Sequence, residues 1–131
     1  MSITINKIIY QILNDKTNNI FLIGPIGAGK TYIAKKIISN LIEIEEDKIQ
    51  SPTFNLVYEY EWKNKVIYHY DLYRIKNKYE INRVDMMNKI LDGDTITIIE
   101  WPEIIYDEIK DINHILIEIN EKHEIKIKNE K

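Results

Sequence analysis

The octapeptide GPIGAGKT, residues 24–31, restricts the fold more than any other stretch of this chain. It fits G-x-x-x-x-G-K-[ST], the pattern of a loop that joins a buried strand to a helix and wraps phosphate groups. Glycines let the backbone curl until successive N–H groups face phosphate oxygens. A helix starting near Lys30 adds the positive end of its dipole. Lys30 offers a mobile charge to the β and γ phosphates, and the Thr31 hydroxyl is a ligand for Mg²⁺. At average residue usage the pattern arises by chance in only about one chain in a few hundred. Three of the four glycines fall inside these eight residues. Ile26, Gly27, Ala28, Gly29, Lys30, Thr31 and Tyr32 are therefore the candidate nucleotide-binding set.

The flanks carry the elements that such a loop requires. NIFLIG (19–24) is a short apolar run that stops at a glycine, as a buried strand feeding the loop should. KTYIAKKIISNLI (30–42) places Ile33, Ala34, Ile37, Ile38, Leu41 and Ile42 on one helical face. Upstream, Ile5, Ile8, Ile9, Ile12 and Leu13 recur at helical spacing over 5–14, with Thr4 as the expected N-cap. FNLVYEYEW (54–62) alternates, KNK (63–65) suits a hairpin loop, and VIYHYDLY (66–73) reads as the returning strand. Residues 78–91 predict a helix, DGD (92–94) a turn, and TITIIEW (95–101) another buried strand. HILIEIN and EIKIK predict a closing hairpin. The expected fold is α/β: a single P-loop NTPase-like domain over residues 1–131, with a mixed parallel and antiparallel sheet flanked by helices.

A phosphate loop specifies a nucleotide but not a reaction. Its cation needs a carboxylate at the carboxyl edge of a neighbouring strand. Two predicted strands end that way, one at Asp71 in YHYDLYRI (68–75) and one at Glu100. Ile67, His69, Asp71 and Tyr73 share one face of the first, and Ile96, Ile98 and Glu100 one face of the second. Asp71 and Glu100 join Thr31 as candidate Mg²⁺ ligands. A structural ion pair for Arg74 remains open, and His69 reads as a packed histidine.

Composition narrows the function classes. Hydrophobic residues at 44% and charged residues at 30% describe an ordinary globular domain. The net charge of −3 comes without the basic stripe that unaided nucleic-acid binding demands. The sequence contains no cysteine, which excludes disulfide and thiolate chemistry. No apolar run approaches the roughly 20 residues of a membrane span, so no membrane association is expected. Asn, Lys and Gln interrupt the apolar stretch of residues 1–19, so a signal peptide is not expected and a cytoplasmic location is.

GPIGAGKT, SPTF (51–54), YHYDLYRI and IIEWPE (98–103) occur in the order and spacing of the bacterial TsaE family, also called YjeE. The chain resembles that family from about residue 5 to 119, and all three of its prolines lie in these motifs. The resemblance implies an ATPase that uses ATP and Mg²⁺, hydrolyses weakly alone, and binds the TsaD–TsaB assembly. It implies support of threonylcarbamoyladenosine modification at position 37 of tRNA, with tRNA met only indirectly through the complex. It also implies a monomer or weak oligomer when alone. By the same resemblance Lys30 and Thr31 hold phosphate and Mg²⁺, and Thr53 is a switch-like threonine near the γ-phosphate. Glu100 holds Mg²⁺ or its water, Asp71 lies beside it, and Trp101 is the family's tryptophan next to that acid. Lys30, Thr53, Asp71 and Glu100 form the implied catalytic set. On local sequence alone Thr53 also fits a plain strand start after Pro52, and Trp101 also fits a core position. Family members carry an arginine in the closing hairpin that flanks the base. Here NEKHEIK (120–126) supplies Lys122 and His123, either able to stack on adenine, His123 by its ring and Lys122 less well, so His123 is the first candidate base contact.

Two other readings use the same loop. A small-molecule or nucleotide kinase closes an arginine-bearing lid over the phosphoryl group. This chain has two arginines, Arg74 and Arg83, and no basic lid segment. NRVD (82–85) is a near-miss of a guanine-reading motif, but it falls in a predicted helix. A non-hydrolysing, nucleotide-bound adaptor would keep the loop and a partner surface without turnover.

Overall fold

The computed structural model describes residues 3–14, 16–49 and 56–129. Six strands, β1 (Asn19–Ile23), β2 (Val57–Trp62), β3 (Lys65–Asp71), β4 (Thr95–Glu100), β5 (Ile115–Ile119) and β6 (Ile125–Ile127), form one sheet in the order β2-β3-β4-β1-β5-β6. β3, β4, β1 and β5 are mutually parallel, while β2 and β6 close the two edges antiparallel. β4 is buried at every residue, its polar Thr95, Thr97 and Glu100 included, as a central parallel strand covered on both faces should be. The mixed sheet with flanking helices is the architecture expected from sequence.

Helices cover both faces. α1 (Ile3–Leu13) and α2 (Lys30–Ile42) pack Ile5, Ile8, Ile12, Ile33, Ile37 and Ile38 against Ile20, Leu22, Ile67, Ile96 and Ile98. On the other face α3 (Arg83–Leu91) and the short α4 (Tyr106–Ile109) set Met86, Ile90 and Ile109 against Phe21, Tyr70 and Ile99. Asn19 pins the amino edge of the sheet, donating to the carbonyls of Ile90 and Asn113 and accepting from the Thr97 hydroxyl. No helix among the described residues is long and apolar enough to cross a membrane.

Three sequence expectations need correction. Residues 78–91 are not one helix: a 3-10 turn over Lys78–Glu80 precedes α3. Asn77 and Glu80 form a capping box around that turn, and Asn82 caps α3 by accepting from the Asp85 N–H. Side-chain capping thus overrides the apolar periodicity that runs across the break. Thr4 lies inside the first turn of α1 and is not its N-cap. β3 stops at Asp71, so Tyr73 lies past the strand. The SPTF motif, with Thr53, lies outside the described residues.

Candidate nucleotide and metal site

The loop between β1 and α2 adopts the conformation its glycines permit. Gly24, Gly27 and Gly29 have φ of 151°, 79° and 108°. Gly29 stands at the N-cap of α2 without a side-chain acceptor, so the first N–H groups of that helix have no partner within it. That arrangement is a ready anion site. Lys30 Nζ donates to the carbonyls of Gly24 (2.6 Å) and Pro25 (2.9 Å). It also lies 4.1 Å from the centroid of the Trp101 ring. Burial pushes the Lys30 pKa down, and Glu100, Glu103 and Asp71 partly restore it.

The parallel register of β3 and β4 sets Asp71 directly opposite Glu100. Both carboxylates therefore leave the sheet at the edge from which the phosphate loop springs. Glu100 is 2% exposed, and its Oε1 accepts from the Thr31 hydroxyl at 2.7 Å. Its Oε2 lies 2.6 Å from Nε2 of His69, which is fully buried. Asp71 is only part-buried, and its Oδ1 accepts from the Tyr73 N–H at 3.0 Å. Burial raises the Asp71 pKa; the Tyr73 N–H opposes this and the Glu100 charge adds to it.

Ile26, Gly27, Gly29, Lys30, Thr31, Tyr32, Asp71, Tyr73, Glu100 and Trp101 line one cleft of about 370 Å³. Ile26, 70% exposed, forms its lip. Trp101 is half-buried with Tyr73 against its ring at 4.9 Å, a cleft-wall residue where local sequence allowed a core one. Ala28 and His123 face a second, more apolar cavity on the other side of the loop, with Ile5, Ile33, Ile119 and Ile125. His123 Nδ1 donates to the Ala28 carbonyl at 2.8 Å and so ties the closing hairpin to the loop. Gly29 and Tyr32 line both spaces. Lys122 is exposed and lines neither, and Arg74 is exposed beyond the end of β3.

The oxygen donors Thr31, Glu100 and Asp71 suit a hard cation such as Mg²⁺. Among the described residues no cluster of three or more His, Cys, Asp or Glu side chains forms a self-sufficient metal site.

The family model for threonylcarbamoyl adenosine biosynthesis protein TsaE matches residues 2–130. The chain belongs to the TsaE family. It is 45% identical over 100 residues to the tRNA threonylcarbamoyladenosine biosynthesis protein TsaE of Rickettsia felis, covering 76% of this chain and 56% of that one. The protein of the same name from Haemophilus influenzae is 32% identical over 97 residues, covering 74% and 60%. This TsaE-family chain thus spans little more than half the length of the curated relatives it matches. The crystal structure of Bacillus subtilis YdiB superposes with a TM-score of 0.54 at 20% identity, covering 90% of this chain and 72% of that one, and shares the fold.

Within this TsaE-family site two contributors escaped the sequence reading. Tyr73 walls the cleft by packing on Trp101, although it follows the strand. His69, read as a packing residue, touches Glu100. Its position two residues before Asp71 on the same strand face was the available signal.

Proposed function

We propose that this chain is a Mg²⁺-dependent P-loop ATPase that binds a TsaD–TsaB assembly. In that assembly it supports threonylcarbamoyladenosine modification at position 37 of tRNA in the cytoplasm, without touching the tRNA itself. The observation that carries the reading is the hydrogen bond from Thr31 to Glu100, which joins the phosphate loop to the buried strand carrying the second acid. Asp71 stands in register beside that acid.

The chain's own residues divide the work. Loop N–H groups and Lys30 hold the phosphates of ATP, and the low-dielectric setting of Lys30 strengthens its pull on phosphate charge. Thr31 and Glu100, with Asp71 beside them, hold Mg²⁺; when bound, that ion neutralises charge on the β and γ phosphates. Asp71, on the more exposed side of the pair, would orient the attacking water. The apolar cavity beside His123 takes the base. Thr53 keeps its proposed place near the γ-phosphate on family resemblance alone.

The test is ATP hydrolysis with Mg²⁺, measured alone and with TsaD and TsaB from the same source. The expected result is weak turnover alone that rises with both partners. Turnover that needs a small acceptor and no partner would replace this reading with a kinase. Binding without hydrolysis under every condition would replace it with an adaptor.

A further inference from the structure

His69, inside β3 two residues before Asp71, is fully buried, and its two ring nitrogens have unequal surroundings. Nε2 lies 2.6 Å from Glu100 Oε2. A carboxylate only accepts, so Nε2 carries the proton. Nδ1 is buried and has no hydrogen-bond partner among the described residues. Filling space does not call for that arrangement, because an apolar side chain would pack there without leaving an orphaned nitrogen. The imidazole is therefore better explained by what Nε2 does than by what the ring fills.

Glu100 is held at both oxygens by two different elements: Thr31 of α2 at Oε1 and His69 of β3 at Oε2. Each carboxylate oxygen accepts at about two sites, so one on each remains for a cation or its water. With Thr31 as its only donor the carboxylate could rotate about the Oε1 contact. With both donors its plane is fixed.

We propose that His69 is a positioning residue that fixes the direction in which Glu100 presents its carboxylate to the divalent cation. This rests on the Mg²⁺–phosphate reading of the same site. Hydrogen-bonding partners of metal-binding carboxylates typically govern metal affinity by about 10- to 100-fold.

The experiment uses the whole chain with ADP and Mn²⁺ as the metal probe. Free Mn²⁺ is counted by electron paramagnetic resonance, and ADP affinity in EDTA is measured separately by calorimetry. His69→Leu keeps bulk and removes the donor. It should weaken Mn²⁺ binding about 10- to 100-fold while leaving metal-free ADP affinity within about twofold. His69→Gln, whose amide N–H has similar reach, should restore Mn²⁺ affinity to within about threefold. His69→Asn, too short to reach Glu100, should behave like His69→Leu and replaces it if the leucine variant does not fold. Wild-type Mn²⁺ affinity in the Leu or Asn variant overturns the proposal. So does an equal loss of Mn²⁺ and ADP affinity in all variants, which marks a purely structural role. If the wild-type chain binds ADP but no Mn²⁺, the metal-site reading itself falls.

Discussion

Gly24→Ala tests whether the phosphate loop is held where the sheet places it. A Cβ at residue 24 would lie 2.3 Å from the Ile119 carbonyl oxygen and 3.3 Å from its carbon. Close C···O contacts sit near 3.3 Å, so the shortfall is about 1 Å. The obstacle is backbone: Ile119 ends β5 and pairs with Ile125 of β6, so it does not yield as a flexible side chain would. Overpacking of this kind costs about 1–3 kcal/mol. The φ of 151° at Gly24 adds about 1–2 kcal/mol for a residue with a Cβ. The sum, about 2–5 kcal/mol, lowers Tm by about 8–20 °C at roughly 4 °C per kcal/mol. Two alanine controls separate the terms. Gly27→Ala, at φ 79° with nothing among the described residues within 4 Å of the added Cβ, should lose only about 4–8 °C. Gly93→Ala, with neither clash nor positive φ, should match wild type or gain about 2–4 °C. Thermal melts followed by circular dichroism, with ADP titrations on each variant, give the series. If Gly24→Ala melts with Gly93→Ala, the close approach of loop and β5 is wrong.

Other expectations follow from the same geometry. Glu100→Ala should cut partner-stimulated hydrolysis by at least about 100-fold while nucleotide binding persists, whereas Lys30→Ala should impair both; calorimetry and phosphate release distinguish them. Asp71 has a raised folded pKa, so the native state favours its proton and ionising it opposes folding. That penalty is absent below the ordinary value of 3.8, grows as pH rises through the folded pKa, and is complete above it. Asp71→Asn should therefore raise Tm at pH 7, with the gain vanishing in melts below pH 3.8. His123→Ala should weaken ATP binding about tenfold and leave tripolyphosphate binding unchanged, because it removes a base contact. Equal losses for both ligands would instead show that His123 serves the loop through Ala28.

What the sequence revealed was whatever is encoded locally. The loop, the strand before it and the helix after it were legible because glycine spacing and 3.6-residue periodicity are local signals. Asp71 and Glu100 were legible as strand-end acids, but their mutual register depends on parallel pairing between segments 29 residues apart in the chain. The His69 contact escaped for the same reason: a histidine's partner is fixed by tertiary placement, and Asp71 two residues on marks the strand face but not the Glu100 carboxylate of the next strand. The break before α3 was legible in principle, since Asn77, Glu80 and Asn82 are capping residues at capping spacing. Apolar periodicity across 78–91 masked them.

The central claim is a metal–phosphate site built by Lys30, Thr31, Glu100 and Asp71. Its most direct test is a crystal structure of the chain with Mn²⁺ and a non-hydrolysable ATP analogue, with the metal located by its anomalous signal. The account predicts the phosphates inside the 24–31 loop, with Mn²⁺ on the Thr31 hydroxyl and facing Glu100 and Asp71 directly or through water. Nucleotide seated away from that loop, or Mn²⁺ bound with neither acid beside it, would contradict the account.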